Sequence, residues 1–166
     1  MIRRLTILLF VLLFVTSCIY KDGTTFDRNG KKMFEGKYKN GKHHGKWIDY
    51  YENGQINQIS HYKNGKFDGK WLDYDENGKL ISEISYKDDK LHGTTIDYYE
   101  NGQIMIQTDY KDGEYHGKWV GYYENGILNH EWYFTDGKKD GKWTFYNEDG
   151  SINRVEEYKD GELVNN

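Results

Sequence analysis

From about residue 31 onward, apolar and polar positions alternate in short runs, and glycine interrupts them roughly every eleven to thirteen residues. No apolar stripe at 3.6-residue spacing runs through the chain, which argues against helix and for half-buried strands. Gln55 to Tyr62 reads as one strand and Lys63-Asn64-Gly65 as a turn. Lys70 to Asp75 reads as a second strand, and Asn77-Gly78 turns the chain back. Asn-Gly between β-rich runs is a strong hairpin signal, because both central residues of the tight turn take φ > 0. Gly69 is expected at a bulge or left-handed residue inside the second strand. A two-residue turn at Asn53-Gly54 would pair Tyr51 with Ile56 and Trp47 with Ser60. It would put Trp47, Tyr51, Ile56 and Tyr62 on one face, with Ile48, Tyr50 and Ile59 on the other.

The pattern then copies itself. Gly30, Gly54, Gly78, Gly102, Gly126 and Gly150 lie 24 residues apart, and so do Gly45, Gly69, Gly93, Gly117 and Gly141. Trp47, Trp71, Trp119 and Trp143 keep the step, with Thr95 in the vacant slot. Tyr50, Tyr74, Tyr98, Tyr122 and Tyr146 form one column, and Tyr38, Tyr62, Tyr86, Tyr110, Phe134 and Tyr158 another. The units are 31–54, 55–78, 79–102, 103–126 and 127–150, with a partial unit at 151–166. Repetition at a fixed period marks an array braced by contacts between neighbouring units. The predicted fold is all-β: an elongated single-layer antiparallel meander of repeated β-hairpins. Eleven or twelve short strands at about 4.8 Å spacing make a twisted ribbon roughly 50–60 Å long. Gly54, Gly78, Gly102, Gly126 and Gly150 are its structural turns.

The recurring Tyr-Tyr-Glu-Asn-Gly and Tyr-Lys-Asn-Gly-Lys-x-x-Gly-Lys-Trp segments resemble MORN repeats. They are similar to the bacterial variant often labelled the YwqK-type antitoxin family. The resemblance covers about residues 30–166 and implies the same hairpin meander, with structural or binding roles rather than catalysis. Two departures fall in the third unit: Asp89 replaces the turn glycine, and Thr94-Thr95 replace Lys-Trp. The ladder of rings is expected to be weakest there.

The first residues, MIRRLTILLFVLLFVTSC, follow a different pattern. Arg3 and Arg4 precede an apolar run from Leu5 to Val15, which fits a signal-peptide core and is too short to span a bilayer comfortably. Val15-Thr16-Ser17-Cys18 resembles a lipoprotein cleavage site, with Cys18 as the residue that receives lipid. Residues 1–17 are then a leader, and 18–30 a lipidated start and degenerate lead-in. Ile19 rather than aspartate follows the cysteine, which by resemblance leans towards the outer membrane. The expected location is the bacterial cell envelope, with the lipid as the membrane attachment.

Composition narrows the chemistry. The 166 residues carry one cysteine, no proline, 17% aromatic and 30% charged residues, and a formal net charge of −4. Low hydropathy alone suggests disorder, but the aromatic content argues against it. One cysteine excludes a disulfide framework or a Cys-rich zinc site. The acidic balance gives no basic footprint for nucleic acid. His44, His92 and His116 share one column, with Asp68 and Asp140 between them. Equivalent positions lie two strands, or roughly 10 Å, apart, so one column cannot converge on a metal. Turn bonding explains the His/Asp exchange. Glu52, Glu76, Glu100, Glu124 and Glu148 flank solvated turns and lack the pocket that a catalytic carboxylate needs. No catalytic residue, metal ligand or cofactor site is expected, and the chain is not read as an enzyme. The candidate binding surface is Trp47, Trp71, Trp119 and Trp143 with Tyr51, Tyr99 and Tyr123, because such rings stack on peptide or sugar. The partner expected there is a protein or glycan. An antitoxin or immunity role is one alternative. Phospholipid binding through Lys42, Lys46, Lys66 and Lys70 is another. Unpaired edges at the two ends leave self-association open.

Overall fold

A computed structural model describes residues 22–164. The leader and Cys18 lie outside the described residues. The sixteen strands are β1 (Thr25–Phe26), β2 (Lys32–Lys39), β3 (Lys42–Tyr50), β4 (Ile56–Lys63), β5 (Lys66–Phe67), β6 (Gly69–Tyr74), β7 (Leu80–Lys87), β8 (Lys90–Leu91), β9 (Gly93–Tyr98), β10 (Ile104–Lys111), β11 (Glu114–Tyr122), β12 (Leu128–Thr135), β13 (Lys138–Lys139), β14 (Gly141–Tyr146), β15 (Ile152–Lys159) and β16 (Glu162–Leu163). They form one antiparallel sheet in chain order, an open meander of hairpins. The count exceeds the expected eleven or twelve, and three of the extra strands have a local reason. The second strand of several units is split at its bulge into β5/β6, β8/β9 and β13/β14. At that bulge Gly69 has φ +119°. The pairing moves from Tyr62↔Phe67 to Ile59↔Leu72 across it. Two residues are absorbed without changing which face the side chains take.

The two turn series are different turns. At Asn64-Gly65 both residues have positive φ, 54° and 88°. Lys63 faces Lys66 across it, the tight two-residue form. At Asn53-Gly54 only the glycine is left-handed, with φ 87°. Gly54 N–H donates to the Tyr51 carbonyl, and Tyr51 N–H donates to the Gln55 carbonyl, each at 2.9 Å. This is a three-residue loop closed by a glycine bulge, with the Asn53 side chain accepting from Gln55 N–H at 2.8 Å. The register is corrected accordingly. Trp47 pairs with Ser60 as expected, but Tyr50, not Tyr51, pairs with Ile56. In the third unit Asp89 occupies the glycine slot at φ 69°. Its carboxylate accepts from Phe67 N–H of the preceding unit at 2.8 Å, and aspartate tolerates the left-handed region better than most residues.

Both faces of the single layer carry rows of side chains, and the row on one face mixes apolar and polar residues. One row runs Glu35, Ile48, Ile59, Leu72, Glu83, Ile96, Gln107, Val120, Glu131, Thr144, Val155 through successive pairs. Tyr50 and Tyr98 lie over this face and donate to Glu35 and Glu83 at 2.6 and 2.7 Å. The opposite, indole face carries the tryptophans. Among the described residues only Trp47, Ile59, Val120 and Trp143 are buried apolar residues, so contacts between adjacent strands replace a central core.

Candidate binding face

The indole face is a chain of rings in contact. Its first stretch links Tyr38 to Trp47 (5.1 Å between centroids), Trp47 to Tyr62 (6.2 Å), Tyr62 to Phe67 (4.8 Å) and Phe67 to Trp71 and Tyr86 (4.8 and 5.4 Å). The second links Tyr110 to Tyr115 (5.0 Å), Tyr115 to Trp119 (4.8 Å), Trp119 to Trp132 (5.5 Å), Trp132 to Trp143 (4.5 Å) and Trp143 to Tyr158 (5.0 Å). Among the described residues no ring pair joins Tyr86 to Tyr110. Leu91 and Thr95 stand where Phe67 and Tyr115 supply a ring and the other units an indole, so the interruption falls in the third unit.

The structure separates the candidate surface residues into two kinds. Tyr51, Tyr99 and Tyr123 are half-buried at the turn rows. Their hydroxyls donate to the carbonyls of Tyr74, Tyr122 and Tyr146 at 2.7, 2.7 and 2.8 Å. They are inter-unit ties, with the polar end of each ring already used. Trp47 and Trp143 are each only 5% exposed and sit inside the ladder. Their indole N–H groups donate to the carbonyls of Lys37 and Tyr133 at 3.2 and 3.1 Å. Trp71 donates to the Asp73 carboxylate at 2.8 Å. Trp119, half-buried, has a buried N–H with no partner. Gly54, Gly78, Gly102, Gly126 and Gly150 all take φ between 83° and 87°, as their turns require.

One cluster escaped the sequence pattern. Around Trp119, three buried polar atoms lack partners: Trp119 Nε1, Trp132 Nε1 and His130 Nε2. His130 stacks on Trp132 at 4.0 Å and 23°, and Trp132 stacks on Trp143 at 4.5 Å and 9°. Gly121 makes this possible, because a Cβ there would overlap the His130 ring. The first three units carry Asp49, Asp73 and Asp97 at that place, and the fifth carries Phe145. His130 Nδ1 lies 2.6 Å from the Asn129 side-chain oxygen, which draws the ring proton to Nδ1 and leaves Nε2 as an acceptor. Burial holds the His130 pKa below its ordinary value, favouring the neutral ring. The cluster thus offers two N–H donors and one acceptor among stacked rings. Two features of the sequence marked it: Trp132 is the one tryptophan outside the 24-residue column, and Gly121 breaks the aspartate column.

The histidine column serves the turns. Backbone N–H groups of Asn64, Asp112 and Asp136 approach Nδ1 of His44, His92 and His116 at 3.4 Å each. Each histidine therefore caps the tight turn of the following unit. Among the described residues no three His, Cys, Asp or Glu side chains converge as a metal site would require. On the opposite face, Tyr98 is pushed up to about 12 by burial and by its bond to Glu83. Glu83 is held below the usual carboxylate range by that hydroxyl and by Lys70.

The MORN repeat variant matches six segments, residues 21–40, 44–64, 67–88, 91–112, 115–136 and 139–160, which together span most of the chain. The chain belongs to this family. Each matched MORN segment from 44 onward begins near the bulge and closes on the tight-turn row. The first segment reaches into the lead-in, where β1 pairs with β2. No curated protein matches the chain.

Proposed function

We propose that this MORN repeat protein is a non-catalytic scaffold of the bacterial envelope, held by lipid on Cys18, that binds a protein or glycan partner on the C-terminal part of its indole face. The observation that carries the binding site is the Trp119–His130–Trp132 cluster. Buried polar groups are almost always hydrogen-bonded, and here two donors and one acceptor without partners lie together among stacked rings. A hydroxyl both donates and accepts, and a sugar ring or tyrosine also offers an apolar face to an indole. Hydroxyl-bearing ligands, glycans foremost, therefore suit the site. Trp132 is half-buried, and its displacement opens the covered atoms to such a ligand.

The basic pair, short apolar run and following cysteine support the envelope address, and Ile19 favours the outer membrane. Labelled palmitate tests it: the full chain is expected to take up label and Cys18→Ala to lose it, and unchanged labelling removes the anchor. Immobilised residues 19–166 challenged with solubilised envelope glycans and proteins test the site. Retention is expected to fall at least tenfold in Trp132→Ala and to persist in Ile81→Ser, a change at an exposed residue outside the cluster. Equal retention by both variants removes the indole face as the site.

A further inference from the structure

Four loops of the array carry the same tripeptide, Glu-Asn-Gly, at residues 52–54, 76–78, 100–102 and 124–126. In each, the glycine N–H donates to the carbonyl three residues back: Gly54 to Tyr51 and Gly102 to Tyr99 at 2.9 Å, Gly78 to Asp75 at 3.0 Å, and Gly126 to Tyr123 at 2.8 Å. The accepting residue is tyrosine in three loops and Asp75 in the other. That difference changes what the asparagine side chain does.

In the tyrosine loops both ends of the asparagine amide are held. Asn53 Oδ1 accepts from Gln55 N–H at 2.8 Å, and Asn101 Oδ1 from Gln103 N–H at 2.9 Å. Asn53 Nδ2 donates to the Glu76 carbonyl of the next unit and Asn101 Nδ2 to the Glu124 carbonyl, each at 2.8 Å. Asn125 makes the same two bonds at 2.9 Å and a longer 3.5 Å. In the remaining loop the Asp75 carboxylate takes over from the asparagine oxygen. It accepts from Asn77 N–H at 2.9 Å and from Lys79 N–H at 2.8 Å. The Asn77 amide reaches that carboxylate within its own loop. Among the described residues no hydrogen bond ties it to Glu100 in the next unit. All four asparagines are exposed, so these bonds, and not access to water, set them apart.

We infer that Asn77 is a site of spontaneous deamidation, and that the same tripeptide is protected in the tyrosine loops. The Gly78 nitrogen, with no Cβ on its own residue to hinder it, attacks Asn77 Cγ and gives up its proton through water. The Cγ–Nδ2 bond breaks, and the amide nitrogen takes up that proton and leaves as ammonia, closing a five-membered succinimide. Water then opens the ring at either carbonyl and leaves aspartate or isoaspartate at position 77. The reaction requires the asparagine side chain to swing onto the glycine nitrogen. Asn53 and Asn101 give up two hydrogen bonds in that swing, and Asn77 has neither to lose. An aspartate product fits the fold, since Asp149 stands at this place in the fifth unit and its carboxylate accepts from Ser151 N–H at 2.8 Å. Isoaspartate adds one carbon to the backbone of the loop that joins β6 to β7.

Tryptic mapping of the full chain after incubation in mildly alkaline buffer tests this, because cleavage after Lys70 and Lys79 isolates Asn77 in residues 71–79. Conversion at Asn77 is expected to run at least about fivefold faster than at Asn53 or Asn101, as two net hydrogen bonds imply. In concentrated urea all four sites are expected to convert at similar rates, because the tripeptide is the same. Asp75→Tyr is expected to slow Asn77 to the rate of Asn53, and Tyr51→Asp to speed Asn53, with circular dichroism matching the wild type to establish folding. Wild-type Asn77 converting no faster than Asn53 in the folded chain overturns the inference. So does a preference for Asn77 that survives unchanged in urea, which assigns it to the sequence rather than to the loop.

Discussion

The two stretches of the indole face are built on the same backbone period and resolve their polar groups differently. In the first, Trp47 lies over Gly36, where a Cβ would overlap its ring, and its N–H reaches the Lys37 carbonyl. Trp71 bonds Asp73. In the second, Gly121 replaces the aspartate, His130 fills the space, and Trp132 stands between Trp119 and Trp143. Two indole N–H groups there have no acceptor. In the first stretch both indole N–H groups find an acceptor, a carbonyl for Trp47 and a carboxylate for Trp71, whereas in the second only that of Trp143 does. The first stretch is a finished structural ladder, and the second has hydrogen-bonding capacity left over.

The largest expected effect breaks the ladder in either stretch. Trp47→Ala and Trp143→Ala each remove a buried indole and are expected to cost about 3–5 kcal/mol in denaturant unfolding. A loss below about 1 kcal/mol in either means that the rings do not brace that stretch. Next, Gly121→Ala and Gly36→Ala each force a ring aside and are expected to cost about 1–3 kcal/mol. A smaller effect sharpens the contrast directly. Trp47→Phe forfeits a hydrogen bond, a further loss of about 1 kcal/mol beyond the reduced ring area, whereas Trp132→Phe forfeits none. Equal losses in thermal melts would erase the distinction.

The smallest effect is with pH. The depressed pKa of His130 means that the fold favours its neutral form. That contribution is present above the ordinary histidine pKa of about 6.5 and is lost as pH falls below it. The wild type is expected to lose thermal stability between about pH 6.5 and pH 5, and His130→Gln to lose less. Tyr98 gives the opposite limb. Its pKa, raised to about 12, contributes stability below pH 10 that fades as pH rises through 12, and Tyr98→Phe removes that fade.

Much of this architecture was legible in the chain because repetition amplifies weak local signals. One Asn-Gly proves little, whereas a glycine column at a 24-residue step fixes the phase of every hairpin. The order of strands, the open single layer and the ring columns followed from that. The register at Tyr51 did not, because Asn53-Gly54 and Asn64-Gly65 are the same dipeptide in different turns. Three residues close one loop and two the other, and the choice depends on strand twist and the bonds across the loop. The tie made by Tyr51 was hidden for a related reason: alternation assigns a side chain to a face but says nothing of a carbonyl in the next unit within reach of its hydroxyl.

Sequence alone therefore determined period, topology and the location of the break at Thr95, since these depend on spacing along the chain. Tertiary structure decided which indoles are satisfied and that His130 enters the ladder through Gly121. Those outcomes depend on which side chains from different units fall within a few ångströms of one another, and distance across the sheet is set by packing rather than by position in the chain.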